Sequence, residues 1–137
     1  MLKNKSLKVL LVFGHRNKSG AIRMVAGLST HLQGFGVEPF LAVEHKKDFE
    51  TYPESSGRIT EIGGLTGWRS LPGKLAAVPI ILKLAHLLKV HQIDVVYVHH
   101  LAAFPYSLAA SRLMSVPHVV AVRNIYSKKS RYKKLML

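Results

Sequence analysis

Cysteine is absent from this 137-residue chain. That removes disulfides, thiolate metal sites and cysteine nucleophiles, and it fits a reducing compartment. Acids are scarce: seven stand against twenty lysines and arginines, for a net charge of +13. From Ile62 onward the only one is Asp94. A surface so short of negative charge attracts phosphates: an anionic membrane face, a nucleotide-linked substrate or nucleic acid. A solvated basic tail gives the same totals, so charge alone does not choose a partner. No apolar stretch reaches the roughly 18–20 residues of a membrane-spanning helix. Leu75 to Val90 comes closest and is broken by Pro79, Lys83, His86 and Lys89. The N-terminus is basic and then briefly apolar. It lacks the length and the small-residue cleavage site of a signal peptide, and reads as a first strand. There are no repeats, no low-complexity segments and no linker rich in Pro, Gly and Ser. Residues 1–137 therefore read as one domain, long enough for a real core. An apolar fraction of 48% argues against disorder.

What is present first is a change of period. Val9 to Phe13 is a continuous apolar run, followed by a polar loop holding Gly14, Ser19 and Gly20. Beyond the loop, Ile22, Val25, Ala26, Leu28, Ser29 and Leu32 fall on one helical face. Strand, small-residue turn and amphipathic helix open a doubly wound, Rossmann-like α/β domain, with a mostly parallel sheet and helices on both faces. The remaining punctuation predicts strands at 37–43, 58–62, 93–98 and 118–122, and helices at 21–33, 75–90 and 105–115. Gly34 is expected to close the first helix, and residues 44–57 to form a loop. Pro79 sits in the first turn of the second helix or kinks it. Gly63 to Gly73 is a turn-rich loop carrying the sole tryptophan, and 125–137 is a basic tail.

Three clusters fall where such a fold binds ligands, beyond the C-terminal ends of its strands. The loop from Gly14 to Gly20 leads into a helix N-terminus, where free N–H groups and the dipole favour an anion. It is not the dinucleotide fingerprint: the three glycines are missing, and no acid is expected at the end of the second strand for a ribose. It is not a P-loop either, since the order is Lys18-Ser19-Gly20. A plain strand-to-helix turn has the same spacing. His99 and His100 end the fourth strand. Either they contact substrate, or one is an interior polar group and the other faces water. Without a neighbouring carboxylate or third histidine they do not suggest a metal site. Arg123 and Asn124 end the fifth strand, where a guanidinium can pair with phosphate or carboxylate, or simply be solvated.

Together these segments resemble the N-terminal domain of glycosyltransferases of family four, which have the two-domain GT-B fold. That family's first loop commonly reads Gly-Gly-Ala-Glu-Arg before an apolar helix. Ser19-Gly20-Ala21-Ile22-Arg23 falls on it, with serine for the first glycine and isoleucine for the glutamate. Its Pro-Asp-Val-Val-His-Val-His is similar to Ile93-Asp94-Val95-Val96-Tyr97-Val98-His99. Its later Val-Pro and strand ending in His-Asp or His-Asn are echoed from Val116-Pro117 to Arg123-Asn124, where Arg123 replaces the usual histidine. The resemblance spans residues 8–124.

The resemblance implies transfer of a sugar from a nucleotide-diphosphate donor to an acceptor hydroxyl with retention at the anomeric carbon, and no cofactor. The N-terminal domain mainly holds the acceptor. The donor domain carries a Glu-x7-Glu signature, which Glu38, Glu44, Glu50, Glu54 and Glu61 do not form. The chain is therefore expected to be an incomplete N-terminal domain, to lack the donor domain and to be inactive alone. His99 and Arg123 are the expected catalytic residues, with Ser19, Gly20, Ala21, Arg23, His100 and Asn124 binding substrate. The basic surface, with Trp68, Arg69 and Leu71, suits an anionic membrane carrying a glycan or lipid-linked acceptor of polysaccharide biosynthesis, at the cytoplasmic face. A non-catalytic Rossmann or flavodoxin-like nucleotide-binding or regulatory domain is the alternative. A nucleic-acid binder would need basic residues interleaved with aromatics on one face. Tyr126 and Tyr132 among the tail lysines offer only a thin version of that.

Overall fold

β1 (Leu7–Phe13) is apolar at nearly every position because both of its faces are covered. Val9, Leu11 and Phe13 join one core layer, with Ile22, Val25 and Ala26 of the first helix. Leu10 and Val12 point the other way, into a layer built on the later helices. The computed structural model describes residues 5–14, 20–49, 58–65, 74–99 and 103–121. After β1 come α1 (Gly20–Gly34), β2 (Val37–Val43), a 3-10 turn (Lys46–Phe49) and β3 (Ile59–Glu61). Then follow α2 (Ala77–Val90), β4 (Val95–Val98), α3 (Phe104–Met114) and β5 (His118–Val120).

The five strands are all parallel, in the order β3-β2-β1-β4-β5. From β1 the chain steps outward to β2 and β3, then returns to pair β4 with the other edge of β1. Parallel crossovers are right-handed. A chain that reverses its direction of travel must therefore change the face on which it crosses. α1 and Phe49 accordingly pack on one face, and α2 and α3 on the other. The fold is the doubly wound α/β domain that the change of period predicts.

Local chemistry sets the element ends. α1 ends at Gly34, as expected, and a left-handed residue follows each of the three helices, Gly36 (φ 76°) for the first. Gly36 donates its N–H to Gln33. α2 and α3 put Gln92 (φ 53°) and Ser115 (φ 55°) at that position. Ile93 donates to Leu88 at 3.0 Å and Val116 to Ser111 at 2.9 Å, which satisfies carbonyls of each last turn. Pro79 is the third residue of α2, where the missing N–H has no intrahelical partner to lose. The loop expected over 44–57 contains the 3-10 turn, because Phe49 is drawn into the α1-side core at 1% exposure.

β4 begins two residues later than the apolar run suggests, since Ile93 and Asp94 have other work. Asp94 donates its N–H to the carbonyl of Lys8 at 2.8 Å and accepts the N–H of Lys8 on Oδ2 at 2.9 Å. Lys5 Nζ lies 3.9 Å from the other carboxylate oxygen. This clamp sets the register of β1 against β4. Among the described residues no helix is long and apolar enough to cross a membrane.

Candidate functional site

The change of crossover face falls between β1 and β4, so a crevice is expected beyond their C-terminal ends. Main-chain bonds carry the sheet one residue past the strands there. His99 donates to Val12 at 3.1 Å, Ala121 to Val98 at 2.9 Å and Ile62 to Val43 at 2.8 Å. Gly14, His99 and Ala121 thus arrive on one rim, and α1 starts from the same end of the sheet.

His99 is in place at the switch point, but its ring is only 6% exposed. It continues the alternation of Val95 and Tyr97 on the α1 side. The ring centroid lies 5.9 Å from Phe13 and 6.4 Å from Tyr97, and Phe13 meets Phe49 edge-on at 5.8 Å. The imidazole is one member of an aromatic layer. Arg23 is exposed in the first turns of α1. That helix has no acid in its first turn, so its positive end is uncompensated by a local carboxylate. Gly20 and Ala21 open the same helix. Ser19, His100, Arg123 and Asn124 lie outside the described residues, as do Trp68, Arg69 and Leu71.

One expectation is overturned. The sequence reading places no acid at the end of the second strand, yet Glu44 follows Val43 directly and is 9% exposed. It continues the alternation of Phe40 and Ala42 toward the α3 face. Tyr106, from the first turn of α3 and 2% exposed, is its neighbour. Burial, then the negative charge of Glu44, pushes the phenol above its ordinary 10.0. The phenol therefore stays protonated at physiological pH and is able to donate. The signal was visible as an acid immediately after an apolar run; its burial was not.

A second polar group ties α3 to β5. Ser107 Oγ donates to Phe104 at 3.1 Å and lies 2.9 Å from His118 Nε2, while Ser111 Oγ donates to Ser107 at 2.7 Å. Phe104 meets the His118 ring at 5.6 Å. Burial lowers the His118 pKa from 6.5, favouring the neutral ring. Among the described residues no three His, Asp or Glu side chains gather to hold a metal ion.

The rim therefore offers three kinds of chemistry. A cationic helix start suits phosphate or carboxylate. A carboxylate beside a phenol sets a hydrogen-bond acceptor next to a donor on the α3 side, and a buried imidazole stands at the end of β4.

Comparison with known proteins fits this architecture. A glycosyltransferase from Rickettsia africae superposes with a TM-score of 0.75 at 14% identity, over 95% of this chain and 33% of that one. MurG from Acinetobacter baumannii gives 0.65 at 14% identity, over 88% and 37%. The UDP-GlcNAc 2-epimerase of Neisseria meningitidis, bound to UDP-GlcNAc, gives 0.64 at 20% identity, over 90% and 34%. The chain thus spans about a third of the length of these structures, with the fold of one GT-B half. The search of curated proteins found no match. The sequence profile described as Glycosyltransferase Family 4 matches residues 18–137. The chain belongs to glycosyltransferase family 4.

Proposed function

We propose that this chain is the acceptor-side half of a retaining glycosyltransferase that moves a sugar from a nucleotide-diphosphate donor to a membrane-borne glycan or lipid. One observation carries the reading. In a family 4 chain, the cationic start of α1 and the end of β4 at His99 share the rim at the β1–β4 switch point. Gly20, Ala21 and Arg23 build the cleft wall nearest the donor phosphates, and Ser19 is a further substrate-binding residue. His99 and His100 contact the acceptor or the transferred sugar. Arg123 and Asn124 help place charged groups of donor or acceptor, with His99 and Arg123 the catalytic pair. Electrostatic stabilisation of the leaving diphosphate is what such cations supply. The net charge of +13 suits work at an anionic membrane, on its cytoplasmic side.

Binding measurements on the 137-residue chain test this. A lipid-linked glycan in detergent should bind, more weakly after His100→Ala, while sugar transfer by the chain alone should be undetectable. Transfer without a second chain, or failure to bind any glycan acceptor, would sink the proposal. A second reading, a nucleotide-binding regulatory domain, draws on Glu44, which stands where doubly wound folds bind ribose hydroxyls. It requires uptake of free nucleotide by this chain, lost in Glu44→Gln.

A further inference from the structure

Acids are rare in this chain, and among the described residues Glu44 is the only one that is buried. Taking a carboxylate out of water is costly, and a chain of net charge +13 has little acid to spend there. An apolar side chain at this position would simply extend the layer to which Phe40 and Ala42 belong. A breach of packing at the ligand-facing end of a sheet is the mark of a functional site.

Tyr106 gives the carboxylate its place. β1 stands between β2 and β4 in the sheet. A residue just past β2 and one from the helix after β4 therefore meet across the end of β1. The effect of the Glu44 charge on the phenol shows that these two do meet. The Tyr106 ring shares its core cluster with Val12, Ala42 and Val98, which lie at or next to the ends of β1, β2 and β4. Glu44 is the more exposed of the pair, at 9% against 2%. The opposite side of the rim is cationic, with Arg23 on α1 and Lys46 and Lys47 on the 3-10 turn all exposed. A phosphate is drawn to that side and repelled by Glu44. The group suited to Glu44 is neutral and rich in hydrogen-bond donors. Two adjacent hydroxyls fit, because the two oxygens of one carboxylate can accept from both, and such charge-assisted bonds strengthen away from water.

We propose that Glu44, held in place by Tyr106, binds a vicinal diol on the α3 side of the rim. A hexose ring of an acceptor and the ribose of a nucleotide both carry that group. Assigning the diol to the acceptor rests on the functional reading above; the diol site itself does not.

The test is NMR titration of the 137-residue chain with methyl glucoside, methyl galactoside, methyl mannoside, adenosine and uridine. Each is paired with a control that has no adjacent ring hydroxyls: the 3-deoxy glycoside or the 2′-deoxynucleoside. The native chain should bind at least one diol about tenfold more tightly than its deoxy control. Glu44→Gln should bind the two alike. Tyr106→Phe keeps the buried ring and should cut the preference about threefold. A packing defect weakens diol and control equally, so the preference reports the site and not the fold.

A native chain that binds no diol, or binds diol and control equally, would overturn the proposal. So would a preference that survives Glu44→Gln. A Glu44-dependent preference confined to the glycosides assigns the site to the acceptor. One confined to the nucleosides upholds the diol site and assigns it to ribose, in favour of the second functional reading. Binding of the lipid-linked glycan in detergent is scored separately. If it persists without any diol preference, the diol site falls and the acceptor-side reading stands.

Discussion

Asp94 does more for this sheet than its partial exposure suggests. Its carboxylate accepts the Lys8 N–H and its own N–H returns to the Lys8 carbonyl, across 86 residues of sequence. Asp94→Ala leaves the Lys8 N–H without this acceptor and should cost about 1–3 kcal/mol in urea unfolding. Gln92 and Ser115 hold left-handed backbone without being glycine. Relief of the Cβ clash outweighs the added freedom of the unfolded chain, so Gln92→Gly and Ser115→Gly should each stabilise by about 0.5–1 kcal/mol. Gly64 is the converse: at φ 87°, with Ile80 in the way, Gly64→Ala should destabilise by about 1–2 kcal/mol. Such positions separate two signals: α1 ends at Gly34, as expected, and Gly36 supplies the left-handed turn after it. Composition marks that a helix ends; the φ angle decides which residue makes the turn.

Among elements, α3 carries a pH response through His118. Burial lowers the folded-state pKa of His118 below 6.5, so near and below pH 6.5 the unfolded chain binds the extra proton more readily. Its contribution to stability is complete above about pH 6.5 and is lost as pH falls toward the depressed folded value. Thermal unfolding of the native chain and His118→Asn across that window should show a shallower slope in the variant. The two faces of α2 make a sharper contrast. Leu84→Ala should cost about 2–5 kcal/mol, and Leu82→Ser should stay within about half a kcal/mol of neutral. Periodicity alone could not have separated these two leucines, because α2 is apolar on both sides. β1, α1 and β2 were legible because one period held along each. The 3-10 turn escaped because a single buried Phe49 sets it.

At the scale of the whole molecule, the doubly wound topology was readable from the order of strands and helices, since handedness leaves few ways to arrange them. The placement of α1's start and of His99 on one rim follows from the same rule. The site was less legible. The burial of His99 could not be read from its place at a strand end, because burial belongs to the packed molecule. Glu44 was overlooked because an acid after a strand looks like the beginning of a loop, until Tyr106 from a helix sixty residues later packs against it.

The Lys8–Asp94 clamp also constrains the order in which the molecule is assembled. β1, α1 and β2 are neighbours in sequence and can pair early, but the other edge of β1 waits for β4. A nascent chain emerging from a ribosome therefore carries an open, strongly apolar strand edge until Asp94 and β4 have been synthesised. Contacts of such long range slow folding and leave exposed strand edges open to aggregation. Chains arrested before β4 should accordingly bind holdase chaperones, and release should follow once residues 94–98 have cleared the exit tunnel.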